Sequence, residues 1–245
     1  MSGHSHARTI KHKKGIADAK KGKIFSKFAR LISIAAKENG GDPETNPKLR
    51  MAIEKARSFN MPSDNIERAI KRGTGELEGA TLEEFLYEAY GPAGTALIIE
   101  GVTDNKNRTL SEIKHILDAN GGKLAQGGSV QWLFERRGVI LINPASQTQN
   151  QKSKEELELL AIDSGAEDIY WHENTLDVYT KIDDLESVKK KFEDQNMIIE
   201  SASLDWVAKN PIEINDDKTR GELNRLFEAL DENDDVQEIY SNLKL

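Results

Sequence analysis

The side chains best suited to chemistry with another molecule are cations crowded at one end of the chain. Residues 1–30 hold nine Lys or Arg (Arg8, Lys11, Lys13, Lys14, Lys20, Lys21, Lys23, Lys27 and Arg30) against one acid, Asp18. Three of the five histidines, His4, His6 and His12, stand among them. Charge of one sign at this density raises the local potential and draws polyanions. The chain as a whole has a formal net charge of −8, so the cluster is not a by-product of a basic composition. Residues 1–75 carry 17 basic and 7 acidic side chains, net +10; with these taken from totals of 34 and 42, residues 76–245 carry 17 and 35, net −18. Such a molecule can present one end to a polyanion and keep the other away from it. Lys outnumbers Arg in the arm and no base-reading pattern is visible, so the expected contacts are to phosphate. Arg50, Lys55, Arg57, Arg68, Lys71 and Arg72 extend the basic character beyond the arm, and all of these but Lys55 are taken as phosphate contacts.

Other chemistries are poorly supplied. His4, His6 and His12 lack a carboxylate or thiol partner that would make a metal site, so their expected role is hydrogen bonding to phosphate or to a 2′-hydroxyl. No metal or cofactor is expected. Gly73-Thr74-Gly75 and Gly91-Pro92-Ala93-Gly94 lack the Lys-Ser/Thr ending of a phosphate-binding loop and read as a helix stop and a hairpin turn. Asp231-x-Asn233-x-Asp235 has Val236 and Asn242 where a calcium loop needs Gly and Glu, and is rejected as one. Thr103-Asp104-Asn105 reads as a helix cap, and Trp132, Trp171 and Trp206 as core residues. No nucleophile–base set or zinc-protease pattern stands out, so the chain is not expected to be an enzyme; the remote alternative is a small-molecule enzyme using the cleft between the α+β domains. There is no cysteine, which excludes disulfides and thiol chemistry and leaves the cytoplasm as the expected location.

The elements that must position these cations follow from periodicity. After an arm over residues 1–15, a helix is expected from about Ile16 to Lys37, with Ile24, Phe28, Leu31, Ile32 and Ala35 on one face and Lys20, Lys23, Lys27 and Arg30 on another. Asn46-Pro47 caps and opens a second helix, and a third carries Ile66, Ala69 and Ile70 and stops at Arg72-Gly73. Beyond Thr81 the pattern changes to strands Phe85–Tyr90 and Thr95–Val102 and a helix through Leu110, Ile113 and Leu117. One helix on two strands is not a stable unit. A fuller pattern follows: strands at Val130–Glu135 and Val139–Ile142, a helix at Glu155–Ser164, a hairpin around His172-Glu173-Asn174, a helix at Asp184–Glu193 and a strand near Ile198–Leu204. The chain closes with a helix carrying Leu223, Leu226, Phe227 and Leu230 and a strand over Val236–Leu243, which supply the pieces the two-stranded unit lacks.

The fold class is therefore α+β in three domains. A basic arm and three-helix domain takes residues 1–77. A discontinuous domain takes 78–128 and 207–245, and an acidic domain over 129–206 is inserted in it. Both α+β domains are expected to be ferredoxin-like. The longest apolar runs are four residues, far short of the about 20 a membrane span needs, so no membrane partner is expected.

Several stretches resemble the YebC-type proteins. They are Gly3-His4-Ser5, Ile10-Lys11-His12-Lys13-Lys14, Lys21-Gly22-Lys23-Ile24-Phe25-Ser26-Lys27, Asn46-Pro47-x-Leu49-Arg50 and Asn60-Met61-Pro62-x-x-Asn65-Ile66-x-x-Ala69-Ile70. Tyr87-Glu88-x-Tyr90-Gly91-Pro92, Thr103-Asp104-Asn105-x-Asn107-Arg108-Thr109 and Leu133-Phe134-Glu135-Arg136-x-Gly138 continue the likeness. Ala7 stands where that family commonly has Trp, which shifts weight in the arm from stacking to charge. The resemblance implies three domains, the third inserted in the second, and no catalysis. It implies a probable DNA-binding regulator of transcription, or a translation factor that meets RNA on the ribosome and relieves stalling at proline-rich stretches. The expected partner is nucleic acid (DNA, or ribosomal or transfer RNA), met by a monomer.

Overall fold

In the computed structural model of the chain, the described residues are 18–147, 152–172 and 174–244, with side chains described from Lys21 onward. Three helices come first: α1 (Asp18–Asn39), α2 (Pro47–Ser58) and α3 (Ser63–Gly73). Asn46 caps α2, its side-chain oxygen accepting from the Leu49 N–H at 3.0 Å. Its amide donates to the carbonyls of Ala35 and Gly40, both at 2.8 Å, so one buried side chain fixes the turn between the helices. Phe28, Ile32, Ala35, Leu49, Ile53, Ala56, Ile66 and Ala69 form the core of this unit. Gly73 does more than stop α3. A Cβ there would lie 2.3 Å from the Ser33 carbonyl oxygen and 2.8 Å from Ala36 Cβ, so α3 can cross α1 this closely only at a glycine.

The strands sort into two antiparallel four-stranded sheets. The first contains β1 (Glu83–Tyr90), β2 (Ala96–Thr103), β3 (Lys123–Leu124) and β8 (Val236–Ser241), in the order β3-β1-β2-β8. Helices α4 (Lys106–Ala119) and α7 (Asp217–Asp231) cover one face. Alternation along β2 explains its unbroken apolar run. Leu97 and Ile99 meet Ile113, Leu117, Leu226 and Phe227 on the helical side. Ala96 and Ile98 turn the other way, against Phe134, Ala208 and Tyr240. Gly101 marks a bulge against β8, where a Cβ would run into the Asp235 carbonyl and the Phe85 ring.

The second sheet contains β4 (Phe134–Ile142), β5 (Asp168–His172), β6 (Thr175–Thr180) and β7 (Ser201–Ala208), in the order β5-β6-β4-β7. Helices α5 (Lys154–Ser164) and α6 (Leu185–Asp194) pack on it through Leu157, Ala161, Val188 and Phe192, facing Ile140, Ile142, Leu176 and Val178. Ser153 and Glu156 form a reciprocal capping box at the start of α5.

Three local expectations differ from the structure. Residues 130–135 do not make a separate strand. The Glu88 carboxylate takes the N–H groups of Val130 and Gln131, Gln131–Leu133 turn once as a 3₁₀ helix, and β4 runs unbroken from Phe134. The last strand of this sheet starts at Ser201 rather than near Ile198, because the Gln147 side chain bonds both the N–H and the C=O of Ile198 at 2.8 Å. Trp132 is 64% exposed rather than core, whereas Trp171 and Trp206 are half-buried. No helix among the described residues is long and apolar enough to cross a membrane.

Candidate nucleic-acid interface

The cations singled out from the sequence fall into four groups. His4, His6, Arg8, Lys11, His12, Lys13 and Lys14, and the side chain of Lys20, lie outside the described residues. Lys21 is exposed on the first turn of α1.

The third group faces inward. Lys23, Lys27 and Arg30 stand three and four residues apart on α1, and that stripe docks on the acidic turn between α7 and β8. The Lys23 ammonium pairs with Glu232 at 2.9 Å and Asp234 at 3.6 Å. The Lys27 ammonium donates to the Asp231 carbonyl at 2.6 Å and pairs with its carboxylate at 3.4 Å. Arg30 pairs with Asp235 and donates to the Val102 carbonyl at 3.3 Å. Arg50 is likewise engaged, with Glu186 on α6 at 3.3 Å. The expectation that the Lys23–Lys27–Arg30 face is open to phosphate is therefore corrected. Its charges are matched by carboxylates of the carboxy-terminal half.

Asp235 is the centre of that dock. Its side chain is 5% exposed. Burial opposes its ionisation, yet donors from Thr109, Arg30, Arg108 and Thr103 outweigh burial and hold its carboxyl below the ordinary range. Burial likewise lowers the proton affinity of Lys23, but Glu232 and Asp234 more than restore it. The sequence signal for the dock is the acidic run 231–235, whose spacing by itself resembles only an incomplete calcium loop. Opposite charges 200 residues apart do not announce that they meet. Lys55, which pairs with Glu238 of β8, is a further inward cation that periodicity alone does not separate from the outward ones.

The fourth group remains. Arg57 closes α2, and Arg68, Lys71 and Arg72 stand three and four apart on α3. All four are exposed, and none has a carboxylate partner among the described residues. Asp64 and Glu67 share α3 with them but pair with none. Helical geometry puts Arg68, Lys71 and Arg72 side by side, opposite the buried Ile66 and Ala69. Three adjacent cations can reach neighbouring phosphates of one strand, as point charges from Lys and as forks from Arg. No group of His, Asp and Glu fit to hold a metal ion occurs among the described residues.

Two family models match the chain. One describes the TACO1/YebC protein N-terminal domain and covers residues 5–76. The other describes the TACO1/YebC second and third domain and covers residues 82–243. A probable transcriptional regulatory protein of Halothermothrix orenii is 48% identical over 245 residues, spanning 100% of this chain and 96% of its own. A protein of the same description from Pseudothermotoga lettingae is 49% identical over 245 residues, spanning 100% of this chain and 94% of its own. Among solved structures, a conserved hypothetical protein of Aquifex aeolicus superposes with a TM-score of 0.86 at 44% identity, over 96% of this chain and 95% of that one.

Proposed function

The chain belongs to the TACO1/YebC family, and on that premise we propose that it is a non-enzymatic, nucleic-acid-binding regulator of gene expression, acting on DNA in transcription. The contacts assigned are to phosphate, from the cations of residues 1–21 and from Arg57, Arg68, Lys71 and Arg72. One observation carries the reading. In a chain of net charge −8, these α2–α3 cations stand exposed without carboxylate partners among the described residues. The inward cations are matched by acids, so this outward set is uncompensated charge rather than a by-product of a basic unit. The names of the relatives support a role in regulation.

The test is binding measured against salt. A phosphate-contact mode that neutralises 6–10 phosphates loses about 10³–10⁵ in affinity between 50 and 200 mM salt. Changing Arg68, Lys71 and Arg72 together to Glu is expected to weaken binding at every salt concentration. It should also flatten the log–log salt slope by about 0.9 per lost contact on duplex DNA. Unchanged affinity would overturn the assignment. Crosslinking in cells then identifies the nucleic acid: recovery of DNA supports the transcriptional target, and recovery of ribosomal RNA moves the same phosphate chemistry to translation.

A further inference from the structure

A large indole is held out in water at the loop that enters β4. Trp132 is 64% exposed, while its neighbours Val130 and Phe134 are buried and Leu133 packs beside them. Singly exposed apolar side chains are common and need no explanation. What sets Trp132 apart is how firmly it is presented. Its Nε1–H donates to the Ser129 carbonyl at 2.9 Å, and the Lys209 ammonium donates to the Trp132 backbone carbonyl at 3.0 Å. Beneath it, the buried Glu88 carboxylate accepts from the N–H groups of Gly128, Val130 and Gln131. Burial raises the proton affinity of Glu88, but those three donors more than reverse it and keep the carboxylate charged. One hydrogen bond holds the ring itself, and the Lys209 and Glu88 bonds hold the backbone that carries it.

The surroundings are cationic and glycine-rich. The Ser129 carbonyl that holds the indole also accepts from the Tyr90 hydroxyl at 3.1 Å. The Tyr90 ring lies 5.7 Å from the Lys123 ammonium. Tyr90 and Lys123 flank an open hollow of about 420 Å³ whose other walls are Gly91, Ala93, Gly94, Gly121 and Gly122. Side-chain-free walls let a bulky backbone come close to the main chain. The remainder of the indole's own loop, Gln126, Gly127 and Gly128, is exposed and offers no second apolar anchor. An apolar protein partner would want a cluster of such anchors. One flat exposed ring, with Lys209 at its carbonyl and Lys123 on Tyr90 beyond Ser129, suits a nucleotide, whose base stacks and whose phosphate seeks cations.

We propose that the Trp132 loop is a second nucleic-acid contact. It takes one unpaired base of a single strand on the indole, with the adjoining sugar-phosphate passing Lys209 or crossing the glycine-walled hollow beside Lys123. The inference rests on the nucleic-acid reading above and extends it from phosphate contact to recognition of unpaired strand.

The experiment titrates the full chain with short oligothymidylate, oligouridylate and duplex DNA, following anisotropy of the labelled strand and tryptophan fluorescence. Stacking on an aromatic is worth about 5- to 150-fold per base when the ring is truncated. Trp132→Ala is expected to weaken single-strand binding by that factor and leave duplex binding unchanged. Trp132→Phe should keep most of the affinity while removing the fluorescence quench. Single-strand affinity unchanged in Trp132→Ala, with the Arg68, Lys71 and Arg72 triple variant weakened, would overturn this inference and leave the proposed function standing. Absence of any binding by the unaltered protein would overturn both. Loss of a protein partner in Trp132→Ala with nucleic-acid affinity intact would make the loop a protein-docking site and overturn the inference.

Discussion

At the scale of single residues, Asp235 is the most consequential carboxylate in the molecule. It is nearly buried, yet it is charged, because two arginines and two threonines donate to it. Removing a donor to a buried charge costs more than removing an exposed ion pair. Arg30→Gln is therefore expected to destabilise the protein by about 1–3 kcal/mol. Lys23→Ala, whose partners Glu232 and Asp234 are exposed, should cost no more than about 1 kcal/mol. Chemical denaturation of the two variants separates these outcomes. The pH response has a definite sign. The carboxyl of Asp235 lies below its ordinary value of 3.8 when folded, so its contribution is complete above that value and is lost as pH falls through the lowered one. Melting curves from about pH 7 to about pH 3 should show stability falling below about pH 4, and Asp235→Asn should show a smaller fall from a lower starting point.

At the scale of elements, close approach and backbone competition decide what periodicity cannot. The apolar stripes of α1, α2 and α3 are plain in the sequence because each faces a single core. The crossing of α1 and α3 depends instead on one missing side chain. Gly73→Ala puts a methyl against the Ser33 carbonyl and is expected to cost about 1–3 kcal/mol as overpacking, read as a lower melting temperature. A melting temperature unchanged from that of the unaltered protein would mean that the helices can part without loss. The strand expected at residues 130–135 is replaced because a distant side chain takes its backbone N–H groups. Val130 is as apolar as a strand residue should be, but its N–H belongs to Glu88, a partner 42 residues away.

At the scale of the whole molecule, the three-helix unit is tied to the rest largely by charge. Lys23, Lys27 and Arg30 meet the α7–β8 turn, Lys55 meets Glu238, Arg50 meets Glu186, and Lys189 of α6 meets Glu54 at 2.7 Å. The sheets are joined differently, through Ile98, Phe134, Ala208 and Tyr240, with Arg136 pairing Glu100 at 3.2 Å and lying 5.2 Å from the Trp206 ring. The proposed division into 1–77, 78–128 with 207–245, and 129–206 predicts that the inserted part can be removed. Arg137 and Asp205 stand opposite each other in the backbone register of β4 and β7. Excising 138–204 and closing the gap with a two-residue Asn-Gly turn keeps Phe134 and Ala208 over the first sheet. The product is expected to melt cooperatively with its helices retained, and a non-cooperative melt would count against the division.

The sequence by itself determined the helices, most of the strands, the cap at Asn46 and the imbalance of charge between the two ends. These are local or additive properties: a periodicity, a short-range hydrogen bond, a sum. Which cations stay free was decided only by the tertiary structure. Lys27 and Lys71 look alike in a string of letters, and one meets Asp231 while the other is exposed with no carboxylate partner among the described residues, because a charge acquires its partner from the packing of distant elements. Trp132 follows the same rule. An indole is apolar wherever it stands, and the bonds of Ser129 and Lys209 to Trp132, with Glu88 holding the loop before it, exist only in the folded chain.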